Sequence, residues 1–293
     1  LAAAIENVGV SAYAGAAPAI DDPEVLSAAL SIHSVEARHA SYLDLQRNGG
    51  APPFDDAFDP ARSMAEVEGI ARRFVAGNGG GPRRRFTVTV ENVSTPGTVD
   101  TDRADGVVPL SPPVFAVYDG RNPEFVPGEA ANEGTEVVAE DGFPTTLVEH
   151  LASTERVSAS GVAPSPGGSV EGPPLGPGES VDVEFEATPG DRFTLETMFV
   201  QSNDWFFGFD GLELFDGLDP VSGDVTGHLG LYDAGTEADT PPGTGPDQKP
   251  AQDPEAVDVG PAEDHPIELA AERHPEFDVP APSEVVRVTV TPN

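Results

Sequence analysis

Gln201-Ser202-Asn203-Asp204-Trp205-Phe206-Phe207 and, after a strand-like run from Val225 to Tyr232, Asp233-Ala234-Gly235-Thr236-Glu237 decide how this chain folds. Its only tryptophan sits beside a carboxylate at the end of one apolar strand. Two more carboxylates, on either side of a glycine, follow the next strand. If the two strands are neighbours, Asp204, Asp233 and Glu237 reach one rim of a β-sandwich as three oxygen ligands. Hard oxygen ligands in a loop with a glycine turn suit Ca2+ better than a transition metal.

The surrounding sequence reads as more of the same sandwich. Phe86, Val88 and Val90 alternate with Thr87, Thr89 and Glu91, a strand with one buried face. Val114 to Tyr118 reads as another. Val181, Val183 and Phe185 alternate with acidic residues, and Pro189-Gly190-Asp191 offers a tight turn into Phe193 to Gln201, which predicts a hairpin. Val225 to Tyr232 and Val286 to Val290 complete about eight strands. Phe143 to Ser153 predicts a short helix, and Pro164 to Gly178 a loop. Phe206, Phe207 and Phe209 read as core. Asp216, Asp219 and Asp224, beside Gly217 and Gly223, read as turn residues. Residues 238–283 are poor in apolar side chains and predict a long irregular excursion with one helical turn near Ile267 to Arg273. On spacing alone, His265 and His274 fall outside any metal site. The triplet Asn92-Val93-Ser94 permits glycosylation of an exported chain.

The pair S-N-D-W-F-F and L-Y-D-A-G-T-E resembles the signature of spondin-type domains, as at the amino-terminal part of F-spondin. The likeness extends loosely from about Phe86 to the C-terminus, through Pro109-Leu110-Ser111-Pro112 and Pro242-Gly243-Thr244-Gly245-Pro246. It implies a C2-like antiparallel sandwich that binds Ca2+ through Asp204, Asp233 and Glu237. Glu237 stands where the family has Asp.

Residues 1–76 read differently. Leu1 to Ala17 is alanine-rich, with Ile5, Val8 and Ala12 at helical spacing. Asp22-Pro23 is a helix entry, and the helix runs from about Glu24 to Arg47 before the glycine stop at Asn48-Gly49-Gly50. Leu26, Leu30, Val35, Tyr42 and Leu43 are its expected packing positions. Glu36-Ala37-Arg38-His39 puts a carboxylate and an imidazole three residues apart on one helical face. Glu6 lies on the partner helix. With Gly9 to Ala17 and Val35 to Ala40, this resembles the second half of a ferritin-like four-helix bundle. The resemblance implies that Glu6, Glu36 and His39 form one half of a di-iron site. Ser63-Met64-Ala65-Glu66 is a capping box for a third helix, about Met64 to Ala76. Gly77 to Pro82 is a flexible boundary. The expected organisation is therefore α+β in two parts: a partial ferritin-like helical region at 1–76, a Gly/Arg linker at 77–84 and the sandwich at 85–293.

Charge narrows the function. In 293 residues, 51 Asp and Glu face 15 Lys and Arg, a net charge of -36, and Lys249 is the only lysine. Phosphate backbones would be repelled, which excludes nucleic acid as a partner. The acid excess with almost no lysine resembles haloarchaeal proteins, where dense counterions screen self-repulsion. There is no cysteine, hence no disulfide and no thiolate metal site. No apolar run reaches the ~20 residues needed to span a bilayer. The chain opens on Leu1 inside a helical pattern and reads as processed or truncated. His150 and His228 have no Ser or Asp constellation around them, so no nucleophilic catalyst is expected. The expectation is an exported, non-catalytic protein, outside a halophilic cell or on its surface, that binds a surface ligand or itself. The competing readings are a ferritin-like iron oxidase or iron store carrying the sandwich as an appendage, and a structural subunit of a cell-surface assembly.

Overall fold

The computed structural model describes residues 2–47, 61–63, 67, 83–164, 173–253 and 256–293. They fall into two compact units, one from Leu1 to Arg83 with two short stretches near 188–190 and 215–219, the other from the remainder.

The first unit is a helical hairpin, α1 (Ala2–Ala16) and α2 (Pro23–Arg47). Alanine gives α1 a high intrinsic propensity, and a 3-10 turn at Ala17–Ala19, with Pro18 inside it, closes that helix. Asp22 caps α2: its Oδ1 accepts from the N–H groups of Glu24 at 2.8 Å and Val25 at 3.2 Å. Small residues make the seam, with Val10, Ser11, Ala29 and Ala40 buried. Leu30, Val35 and Tyr42, expected to pack, stay exposed, as do Val25, Ile32 and Leu45. Alanine lets the helix axes approach closely, and that side wins the contact. The glycine stop, nearly all of the third helix and most of the linker lie outside the described residues; Ser63 and Val67 share one helical bond of 3.0 Å.

The second unit is an antiparallel sandwich. Its strands are β1 (Arg84–Asn92), β2 (Val114–Tyr118), β3 (Val157–Val162), β4 (Ser180–Ala187), β5 (Arg192–Met198), β6 (Trp205–Gly208) and β7 (Leu212–Glu213). Shorter pieces follow: β10 (Gly223–Asp224), β11 (Gly230–Asp233) and β12 (Glu268–Leu269), then β13 (Val286–Pro292), while β8 (Phe215–Asp216) and β9 (Asp219–Pro220) pair only with each other, at the 215–219 stretch grouped with the first unit. One sheet runs β10-β13-β1-β4; the other runs β12-β11-β6-β5-β2-β3, with β7 also on β5. Val88 sits opposite Val290 on one side and Val183 on the other, so three inward rows align.

The predicted hairpin of β4 and β5 does not form, because the two strands belong to different sheets. The chain crosses from one layer to the other at Pro189-Gly190, where Gly190 takes φ +99. Burial decides this. The apolar face of β4 needs a facing sheet, and Phe185 stacks on Phe193 across the layers at 5.2 Å. The strand expected from Val225 to Tyr232 is also broken. Asp224 Oδ1 accepts the Thr226 N–H at 2.9 Å, and a 3-10 turn at Thr226–His228 intervenes before β11.

Strands β2 and β6 are buried along their whole length. The outer face of their sheet is covered by α3 (Glu133–Asp141) and α4 (Thr145–Ser153). Val138, Leu147 and Leu151 cover Val114 and Ala116 there. Helix α3 was not expected, although Asn132 caps it and Gly142 ends it at φ +72. Asn92 is fully buried, its Nδ2 donating to the carbonyls of Val108 and Leu175 at 2.8 Å each. The Asn92 sequon is therefore closed to glycosylation in the folded state. Among the described residues no helix is long and apolar enough to cross a membrane.

Candidate metal centre

Strand pairing puts the three predicted acids at one end of the large sheet, since Asp233 on β11 sits opposite Trp205 on β6 and Asp204 is its neighbour. Each acid then does something different. Asp204 is fully buried, and its Oδ2 accepts from the Thr236 N–H at 2.7 Å, the Thr236 hydroxyl at 3.1 Å and the Glu237 N–H at 3.0 Å. It thus ties the 233–237 loop to the β6 corner. Its Oδ1 is buried with no hydrogen-bond partner among the described residues. Burial first, then the charge of Asp233, pushes Asp204 up to about 7, against the three donors.

Glu237 is buried, and its Oε1 likewise has no hydrogen-bond partner among the described residues. That oxygen lies where a Cβ on Gly260 would stand, 1.6 Å away. Burial pushes Glu237 up to about 8; Asn203 opposes the shift, and the charges of Glu140, Asp204 and Asp247 add to it. Gly235, at φ +73, lets the loop turn against the His265 carbonyl, which a Cβ would meet at 2.4 Å.

Asp233 faces a different set of partners. Its Oδ1 accepts the Gly235 N–H at 2.7 Å, and its Oδ2 lies 2.7 Å from His274 Nε2 and 2.8 Å from Arg273 Nε. His274 Nε2 is also 2.8 Å from Asp239 Oδ2, whose side chain is 1% exposed. One ligand atom each from Asp233, Asp239 and His274 lies within 4.8 Å of the others, whereas Asp204, Asp233 and Glu237 do not gather that closely as a set. His274, placed outside any site on spacing alone, is therefore at its centre. Its ring packs on Trp205 at 5.7 Å and on Phe277 at 4.8 Å, and those two rings lie 6.4 Å from each other. The short helix Ala270–Arg273 delivers Arg273 and His274 to this rim. Arg273 also holds Glu263 Oε2 at 2.7 Å, so one fixed cation already offsets part of the acid.

Asp233, Asp239 and His274 thus gather beside the lone tryptophan, with Asp204 adjoining Asp233 and Glu237 held further along the same loop. Such a set can hold a hard cation through carboxylate oxygens, or a borderline metal with the imidazole added. Asp239 and His274 were missed because sequence separation carries no trace of which loops fold back. Asp239 lies two residues beyond the expected loop, and both it and His274 fall inside the irregular excursion expected at 238–283.

In the hairpin the three predicted ligands do meet. Glu6, Glu36 and His39 offer ligand atoms within 4.8 Å of one another, with His39 Nδ1 3.4 Å from Glu6 Oε1. A hydrogen bond that protonated Glu36 donates to Glu6, and then burial, raises Glu36 above its ordinary value. Glu6 Oε2 is buried with no hydrogen-bond partner among the described residues. Two carboxylates and an imidazole on adjoining helical faces fit one half of an iron site.

A family model described as a ferritin-like domain matches residues 1–48, so the hairpin is similar to part of such a domain. No curated protein matches the chain.

Proposed function

We propose that this is an exported, non-catalytic binding protein whose sandwich is stiffened by Ca2+ and contacts a cell-surface or matrix ligand, or another copy of itself. The spondin-type resemblance of the 202–207 and 231–237 motifs supports this reading. One observation carries it: among the described residues Asp204 Oδ1 and Glu237 Oε1 are buried without partners, and Asp233 and Asp239 lie close enough to Asp204 for their charges to bear on it. Buried carboxylate oxygens are costly unless paired or bound to a cation. Ca2+ between the Asp204 corner and the 233–237 loop would supply what they lack. It would pin the loop that the Asp204 hydrogen bonds already close. In this picture His274 Nε2 donates to Asp233 and lies beside Asp239 rather than ligating.

Trp205, the only tryptophan, reports on the rim because the His274 ring stacks on it. Ca2+ added to chelated protein is expected to change Trp205 emission and raise the melting temperature, and Asp204→Asn together with Asp233→Asn should abolish both effects. A parent protein indifferent to Ca2+ would sink the proposal. Tighter binding of Zn2+ than Ca2+, lost in His274→Gln, would reassign the rim to a borderline metal.

A second reading follows from the hairpin. The ferritin-like match and the Glu6, Glu36 and His39 set support iron chemistry once further helices complete the bundle. Iron retained after purification of the parent protein, and lost in Glu36→Gln, would favour it.

A further inference from the structure

Two buried carboxylates remain that neither reading uses. Glu124 follows β2, and Glu196 lies on β5 facing α3; both are at most 1% exposed. Glu196 pairs with Gly208 at the far end of β6 from Trp205. Three residues of strand, about 10 Å, therefore separate this place from the rim.

Its hydrogen bonds do not close. Thr194 Oγ1 lies 3.1 Å from Glu124 Oε2 and 2.9 Å from the Phe209 carbonyl. Thr135 Oγ1 lies 3.2 Å from Glu196 Oε2 and 2.9 Å from the Glu124 carbonyl. Each hydroxyl has one hydrogen for two acceptors. Asn122 already donates to the Phe209 carbonyl at 3.0 Å, and Asn132 to that of Glu124, so both hydroxyls are free to turn to the carboxylates. Even then Glu124 Oε1 and Glu196 Oε1 have no hydrogen-bond partner among the described residues. No Lys, Arg or His among the described residues pairs with either group. Two bare carboxylate oxygens, backed by two hydroxyls and two carbonyls, make an oxygen-only donor set.

We propose that Glu124 and Glu196 form a second, interior cation site that takes a hard divalent ion of the Ca2+ class. The oxygen-only donor set selects against soft and borderline metals. A bound ion would also fasten α3 to β5, since Thr135 and Asn132 belong to the start of that helix.

The test counts ions on the full chain. Equilibrium dialysis at pH 8 after chelation should find two bound Ca2+ per chain. Glu124→Gln with Glu196→Gln should lose one of them and keep the Ca2+-induced change in Trp205 emission. Asp204→Asn with Asp233→Asn should keep one and lose the emission change. The retained emission change guards against a variant that simply fails to fold. The proposal is overturned if the Glu124/Glu196 variant binds as many ions as the parent. It is equally overturned if that variant melts higher than the parent in saturating Ca2+, which would mean the pair is only a protonated acid.

Discussion

Asp204 is the side chain on which the rim turns, because one of its oxygens closes a loop 32 to 33 residues later in the chain. Asp204→Ala leaves the N–H groups of Thr236 and Glu237 buried without an acceptor, and should cost about 3 kcal/mol in chelated protein by urea unfolding. Asp204→Asn keeps one acceptor oxygen and should cost less than half as much. If the two substitutions proved equally mild, the loop would not depend on this carboxylate. Glu140 supplies a pH signature nearby. Burial pushes it from the ordinary 4.5 up to about 7, with a hydrogen bond from Thr236 opposing. Below 4.5 both folded and unfolded chains hold the proton, and its contribution to stability is complete. Between 4.5 and 7 the unfolded chain ionises first, so stability falls as pH rises. Glu140→Gln should therefore gain about 1–2 kcal/mol on the parent at pH 8 and nothing at pH 4, less than the full shift because water screens part of the group. Equal differences at both pH values would remove Glu140 as the cause. At this scale the sequence reveals acids that flank strands, as with Asp204, Asp233 and Glu237. It conceals His274, whose place depends on how residues 238–273 return to the rim.

Elements were legible where one local rule was strong. Alternation marked β1 and β4, and Asp22-Pro23 marked the start of α2. The helix α3 was hidden because Glu133-Gly134-Thr135-Glu136 is acidic and glycine-interrupted, with only two valines together to pack. Its cap matters accordingly. Asn132 Oδ1 accepts from the Gly134 N–H at 2.9 Å and the Thr135 N–H at 3.2 Å. Asn132→Ala should lower the urea midpoint by the equivalent of about 1–2 kcal/mol, whereas Asn132→Ser should recover most of it. A cost no larger than that of an exposed substitution would show the helix held by packing alone. The β4–β5 crossing teaches a complementary lesson. Pro189-Gly190-Asp191 suits a tight turn in either geometry, so the turn residues could not decide between a hairpin and a step between layers. The stack of Phe185 on Phe193 decides it.

At the scale of the molecule, charge dominates. A net charge of -36 over 293 residues repels itself most when folded. Raising NaCl from 0.1 M towards 2 M shortens the Debye length below the spacing of most surface charges and should raise the melting temperature. The gain should level off once screening is complete. A melting temperature insensitive to salt would mean that ion pairs and bound cations already neutralise the fold. The same composition leaves a single lysine, and the structure encloses it. Lys249 Nζ lies 2.9 Å from Asp141 Oδ1 and 4.8 Å above the Phe143 ring, with its side chain 13% exposed. Amine-directed labels consequently find no ready side chain on the native protein. The rate at which such a reagent modifies Lys249 becomes a clock for the opening of the corner beneath α3, readable by mass spectrometry without any engineered probe.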